Sequence, residues 1–379
     1  MKKYLWIKNF YYNIYLISNK CPKFVSKFLF YFFSKVVPMR EHQLNDSKKH
    51  LASVHPDVGS SSLYTNEIKK NPSYDLQIII PVYNVERYLG ECLKSIFNQK
   101  THYKFCVIAI NDGSTDSSGM ILQEYRKYPN LKIINQENMG AAKARNAGLK
   151  EIDAKYIMFV DSDDMLCDSA IDVLLDCAES TQVDIVQGGY LLYQRNRLLC
   201  NSGVPNEICS PQSLTGFPWG KIYKAELWKK FHFPEKYLFE DTVNNLIVYN
   251  IAKTAYIIDK AVVIYRNNAS GVTITSRGST KCIDTLWVTK RLIEDYKKLQ
   301  LPITSEICAV FLNQFLFNFN RILTLNDRKI DYAAFLIYRE IFESINVDMS
   351  IFPDKIKIAY DSLKNNNFKK FFLCGIFLK

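Results

Sequence analysis

From residue 76 onward the chain alternates short apolar runs with stretches of helical spacing. Residues 76–82 form an apolar run, 85–97 a helical stretch, and 105–110 a second strand-like run. Two further alternations follow, 131–134 with a helix at 141–149 and 156–160 with a helix at 169–178. Strand and helix alternating at this spacing predict an α/β fold, a parallel sheet covered by helices. Ligands of such sheets bind beyond the carboxyl ends of the strands, so the residues closing each apolar run are the candidates for chemistry.

The flanks follow a different pattern. Between residues 5 and 37, apolar positions such as Phe24, Phe28 and Tyr31 recur near helical spacing, with Lys23, Lys27 and Lys35 on another face. Two readings fit: a helix lying in a membrane interface, or one packed on the protein's own surface. Residues 41–72 are polar, carry the run Ser60-Ser61-Ser62 and the pairs His55-Pro56 and Asn71-Pro72, and read as a linker. After residue 283 the pattern is mostly helical, with Phe311, Phe315, Phe319 and Ile322 on one stripe and a basic, aromatic end at 369–372. The stripe is a packing signal. The division expected is an extension at 1–40, a linker at 41–74, an α/β domain at 75–280 and a helical region at 281–379.

A chain of 379 residues, 48% apolar and 14% aromatic, can bury an ordinary core and is not a disordered one. Its formal charge of +11 suggests a polyanion partner until the charge is located. Residues 1–40 hold eight Lys or Arg and no Asp or Glu, which leaves 41 basic against 38 acidic residues elsewhere, a net +3. That argues against a nucleic-acid groove and places the basic character in one segment. The ten cysteines show no CxxC pair, and reduced thiols in the cytosol are the expectation. The longest clean apolar run of the extension, 28–33, is far short of the roughly 20 residues that span a bilayer, and no small-residue cleavage site follows it.

The first run closes on Pro81-Val82-Tyr83-Asn84 and the second on Asn111-Asp112-Gly113-Ser114-Thr115-Asp116. A carboxylate there can accept from an imide or ribose donor, a glycine lets the backbone bend closely around a ring, and Tyr83 offers a face to a base. The same residue types dominate turns in general, so this stretch alone also reads as a plain turn. The fourth run closes on Phe159-Val160-Asp161-Ser162-Asp163-Asp164. Three crowded carboxylates are costly without a cation, and hard oxygen donors favour magnesium or manganese. Such a cation keeps positions open for diphosphate oxygens; a solvated acidic loop is the plainer alternative.

In order along the chain, the strings PVYNVERYL, NDGSTD, ENMGAAKARNAG and FVDSDD resemble family 2 of the inverting glycosyltransferases with the GT-A fold, of the bacterial cell-surface polysaccharide type. The resemblance covers residues 75–275 and runs on through Trp219-Gly220-Lys221-Ile222-Tyr223-Lys224, Phe233-Pro234-Glu235, Phe239-Glu240-Asp241, Tyr265-Arg266 and Ser270-Gly271-Val272-Thr273. It implies a Rossmann-like, mixed but mainly parallel sheet, with the helical C-terminal region and the N-terminal helical extension outside it. Pro81 and Tyr83 then lie in the base-binding turn, Asp112 contacts the nucleobase, and Asn138 and Arg145 belong to the donor-binding loop and helix. Asp161 and Asp163 are the acids of the DxD motif, the second a direct ligand of Mn2+ or Mg2+. Asp241, beside Glu240, is implied as the general base that takes the acceptor's proton as its oxygen attacks the anomeric carbon. A Glu-Asp pair opening the apolar stretch 243–249 is also what a helix N-terminus prefers. Trp219 and Lys221, ahead of an expected helix, read either as an acceptor-binding platform or as a packed loop. Arg266 reads as a cation for the diphosphate or as half of a structural ion pair. The histidines show no metal spacing and are given no role.

The function this implies is transfer of one sugar from a nucleotide-diphosphate sugar, with UDP favoured, to a hydroxyl of a glycan or lipid-linked acceptor. Its place would be the cytoplasm, at the anionic inner face of the cell membrane. UDP-galactose, UDP-glucose and their N-acetyl forms all stay open. A sugar nucleotidyltransferase would carry a glycine-rich, basic loop where this chain has Val82-Tyr83-Asn84-Val85. A processive synthase would need several spanning helices and a QxxRW-like string after Asp241. A noncatalytic nucleotide-sugar-binding or membrane-associated module would not need every acidic position filled.

Overall fold

The computed structural model describes residues 23–36, 46–194, 197–201, 206–266, 276 and 278–378. They fall into two units, one of Ser60–Lys236 and Glu240–Gly271, the other of Met1–Gly59, Tyr237–Phe239 and Val272–Lys379.

The first unit is built on a mixed sheet of ten strands. Its parallel half consists of β1 (Tyr74–Val82), β2 (Phe105–Asp112), β3 (Leu131–Gln136) and β4 (Ala154–Phe159), in the spatial order β4-β1-β2-β3. Leu76, Ile78, Ile79, Ile80 and Val82 of β1 are all fully buried, as expected of a central strand covered on both faces. The connections carry α1 (Glu86–Phe97), α2 (Ser118–Glu124) and α3 (Ala141–Leu149). α1 buries Leu89, Cys92, Leu93 and Ile96 in the core. α3 lies unusually close to the sheet: a Cβ on Gly148 would stand 2.6 Å from the Ile79 side chain, so glycine sets this approach.

After α4 (Ala170–Thr181) the sheet grows from the other edge. β5 (Ile185–Gln194) and β4 flank β6 (Lys221–Lys224), which is antiparallel to both, and β7 (Ala255–Arg266) pairs in parallel with β5. The sheet is thus mixed, and mainly parallel around β1. β6 corrects one expectation, because Trp219 and Lys221 lead into a strand and not a helix. Four residues wedged between two neighbours, with Lys221 and Ile222 fully buried, leave no alternation to read.

Residues 41–74, expected as a linker, contain a helix at Ser47–Val54 and a short strand at Glu67–Ile68 parallel to Glu151–Ile152. The helix belongs to the second unit. Its apolar anchor is Leu51 alone, fully buried, and polar contacts do the rest: Lys48 pairs with Glu340, and His50 Nε2 lies 2.9 Å from Asp327. One apolar anchor makes no period.

The second unit is helical, with helices at Asp284–Lys298, Ser305–Ile322, Arg328–Phe342, Asp354–Lys364 and Phe368–Phe377. The stripe Phe311, Phe315, Phe319 and Ile322 is fully buried; Phe315 stacks on Tyr338 at 3.9 Å, and Phe319 meets Phe371 and Phe372 edge-on. Of the basic extension, residues 1–22 and 37–40 lie outside the described residues, and the rest forms a helix, Lys23–Val36. Phe30 is buried and Phe33 stacks on Phe377 at 5.6 Å, whereas Phe28, Tyr31 and Phe32 are 67%, 48% and 47% exposed. Among the described residues no helix is long and apolar enough to cross a membrane.

Candidate donor and catalytic site

The turns after β1 and β2 are clasped together. Asn84, at a positive φ of 47°, accepts at Oδ1 from Thr115 N at 2.8 Å, and its own N–H donates to Ser114 Oγ at 3.2 Å. Glu86 N donates to Asp116 Oδ2 and Ser117 N to Glu86 Oε2, at 3.0 and 2.9 Å. Ser114, Thr115 and Asp116 are therefore spent on shaping the turn, which leaves Tyr83 standing half exposed at its edge.

Asp112 ends β2 almost fully buried and gathers the loop after β3. Its Oδ1 accepts from Gln136 Nε2 at 2.6 Å and Met139 N at 3.0 Å, and its Oδ2 accepts from Gly140 N at 2.8 Å. A carboxylate has about four acceptor positions, so one remains for a ligand. Gly113 has a φ of 70°, and a Cβ there would lie 2.7 Å from Asn138 N. The structure thus brings Asp112, Gly113 and the exposed Asn138 together beside the turn that follows Pro81 at the end of β1.

Beyond β4 the three acids separate in role. Asp164 is buried; its Oδ1 accepts from Arg266 N at 2.8 Å and its Oδ2 meets no partner among the described residues. Burial, with the adjacent Asp161 charge, pushes its pKa up to about 9. Asp161 and Asp163 are partly exposed. No group of three or more His, Cys, Asp or Glu among the described residues could hold a metal ion alone. Two carboxylates without His or Cys do fit a magnesium-type ion, which takes one or two carboxylates and completes its shell with phosphate oxygens and water.

Arg145, on α3, was expected to meet the donor but is 7% exposed and sits between two acidic motifs. Its Nη2 donates to Asp161 Oδ1 at 2.8 Å and its Nη1 to Glu240 Oε1 at 2.5 Å, with the guanidinium 5.4 Å from the Phe233 ring centre. Burial opposes its charge, but the two carboxylates outweigh that and raise its pKa. The next residue, Asn146, escaped the sequence reading. It donates to Phe233 O and accepts from Phe233 N, both at 2.8 Å, and donates to Glu235 at 3.1 Å, so one buried amide locks the Phe-Pro-Glu segment. The only signal for it was its place in ENMGAAKARNAG.

Asp241 is partly exposed beside Glu240, where a helical segment containing a π-turn, Asn244–Val248, begins. Its carbonyl accepts from Asn244 N at 2.9 Å. This is the helix-start reading of Glu240-Asp241.

Three expected contacts take other positions. Lys221 is fully buried, donating to Thr215 Oγ1 at 2.8 Å, Phe217 O at 2.7 Å and Trp219 O at 3.4 Å, so it braces a loop and offers nothing to an acceptor. Trp219 is 6% exposed between Phe217 and Tyr265, at 4.8 and 5.2 Å, and the outward ring of that stack is Phe217. Arg266 pairs with Glu91 and lies 5.1 Å from the Tyr88 ring centre, the ion-pair alternative of its two readings.

Burial lowers the Lys221 pKa to about 7 against the pull of Asp241, from an ordinary 10.5. The unfolded chain holds that proton between the two values and the folded protein does not, so this residue's cost to stability is full below pH 7 and eases as pH rises. Thermal unfolding midpoints of wild type relative to Lys221→Met should therefore climb from pH 7 toward pH 10. Parallel curves for the two proteins would contradict this.

Residues 77–233 match the family model described as Glycosyl transferase family 2. The chain is 32% identical over 211 residues to glycosyltransferase GlyA of Streptococcus pneumoniae, covering 50% of this chain and 30% of that protein. It is also 32% identical over 219 residues to the uncharacterized glycosyltransferase EpsJ of Bacillus subtilis, covering 52% of this chain and 62% of the other. In each case the match spans less than two thirds of the relative. The crystal structure of Staphylococcus aureus TarS 1–349 in complex with UDP-GlcNAc is similar in fold, with a TM-score of 0.63 at 20% identity, over 78% of this chain and 89% of that one.

Proposed function

Because residues 77–233 are a family 2 glycosyltransferase domain with the GT-A fold, we propose that the protein transfers one sugar from a UDP-sugar to a hydroxyl of a glycan or lipid-linked acceptor, with inversion, in building a cell-surface polysaccharide. The observation that carries this is the meeting of the two acidic motifs: Asp161 and Glu240, far apart in sequence, share one buried arginine at the carboxyl ends of the parallel strands. That is where an α/β sheet binds its ligand.

Tyr83 and Asn138 line the base side, and the one acceptor position left on Asp112 takes the imide N–H. Asp163 and Asp161 would hold a divalent cation, which when bound offsets charge on the departing diphosphate. Asp241 takes the proton of the acceptor hydroxyl, whose oxygen forms the new bond to the anomeric carbon on the face opposite the leaving UDP. The complex of TarS with UDP-GlcNAc supports a uridine donor. Calorimetric titration with UDP, with and without Mn2+, tests the reading. Metal-dependent binding is expected, and absence of binding to any nucleoside diphosphate would return the chain to the noncatalytic alternative.

The site of action we propose is the inner face of the membrane. The helix Lys23–Val36 packs through Phe30 and Phe33 and turns Phe28, Tyr31 and Phe32 outward, within a segment of eight basic and no acidic residues. Basic, aromatic segments of this kind bind anionic lipid surfaces. The full chain should sediment with vesicles containing phosphatidylglycerol and not with pure phosphatidylcholine. Phe28→Ser with Phe32→Ser should weaken that binding at least about tenfold, each aromatic ring contributing about 1.5–3 kcal/mol when buried. Equal sedimentation of variant and wild type would remove the helix from the membrane contact.

A further inference from the structure

We propose that Arg145 is a positioning residue that couples the cation-binding carboxylate Asp161 to Glu240, so that the charge state of either carboxylate is felt at the other. The inference rests on the donor-site reading above.

The geometry allows little else. The guanidinium is planar and always charged, and its two outer nitrogens go to two different carboxylates, at 2.8 and 2.5 Å. The side chains of Arg145, Asp161 and Glu240 are 7%, 29% and 14% exposed, so water screens the pairings weakly. Phe233, fully buried, lies under the guanidinium, and Asn146 holds that phenylalanine at both its backbone N–H and its carbonyl. The arginine Nε has no partner among the described residues. The group is therefore wedged: it cannot follow one carboxylate without leaving the other.

One positive charge shared between two negative ones makes the two pairings compete. Positive charge arriving at Asp161 weakens the arginine's attraction there and leaves more of it for Glu240. Conversely, neutralising Glu240 leaves the whole guanidinium charge to Asp161, where it opposes a cation. Glu240→Gln should thus weaken cation binding although Asp161 and Asp163 are untouched. A lysine at 145 has one compact ammonium and cannot span both carboxylates, so in Arg145→Lys the same change at 240 should have no further effect.

The experiment is a double-mutant cycle on the full chain: wild type, Glu240→Gln, Arg145→Lys and the double variant, each titrated with Mn2+ alone by electron paramagnetic resonance of the free ion, then with UDP added. Unfolding midpoints of all four check that they fold. A coupling of at least about fivefold between the two positions is expected, the lower end of ordinary site-to-site coupling. Glu235→Gln is the control, because Glu235 lies on the same segment but pairs with Lys143 at 3.2 Å and Asn146, not with Arg145. It should leave Mn2+ affinity unchanged, and it keeps the test decisive if Arg145→Lys fails to fold. Unchanged Mn2+ affinity in Glu240→Gln, an equal loss in both backgrounds, an equal loss in Glu235→Gln, or no Mn2+ uptake by wild type would each overturn the coupling. A wild type that binds Mn2+ but no UDP would instead sink the donor reading, while the cycle still reports on Arg145.

Discussion

Asp241→Asn is expected to lower the turnover number of sugar transfer by about 10²–10⁴, the usual contribution of a positioned general base. UDP binding with Mn2+ should stay near the wild-type level, because Asp241 is not among the groups assigned to nucleotide or cation. The exchange keeps the shape of the side chain and removes only its basicity. It also removes the charge that resists the lowering of the Lys221 pKa. A small shift in unfolding midpoint is therefore compatible with the role, whereas full turnover in the variant would sink it.

Asp163→Ala should cost metal-dependent UDP binding about 100-fold or more, beyond the 10–100-fold that changes behind a metal ligand produce. The size follows from what cannot replace it. Asp161 has one oxygen held by Arg145 at 2.8 Å, and Asp164 is buried and turned to Arg266 N. Calorimetry of wild type and variant side by side, with and without Mn2+, gives the answer. UDP binding that keeps its metal dependence in the variant would move the cation site elsewhere.

The parallel half of the sheet was readable because its strands are buried on both faces and separated by helices with their own period. The acids were readable because such a sheet projects its polar groups at strand ends. What escaped was set by tertiary contact. Arg145 joins acidic residues 16 positions after and 95 positions after itself, a pairing that no local pattern encodes. Lys221 is a residue type that composition-based readings place at a surface, yet its Nζ is enclosed by three oxygens inside a loop. Trp219 reads from sequence as a platform or a packed loop, and only the tertiary stack decides for packing, with Trp219 as its middle ring and Phe217 as its outer member. The helix Ser47–Val54 escaped because Lys48 and His50, and not a row of apolar residues, tie it down alongside Leu51.

The buried carboxylate of Asp112 bears on how a nucleotide would meet this surface. Two consecutive loop amides, Met139 and Gly140, donate to a side chain that belongs to the sheet itself. The loop proposed to face the base is in this respect a continuation of the sheet's wall and not a flap: its amides are committed once β2 and β3 have paired. The ordering entropy of that segment is lost when the chain folds, not at each arrival of a donor. Recognition on that side then resembles the filling of a mould already set, and the freedom to adapt to different sugars must come from elsewhere in the site.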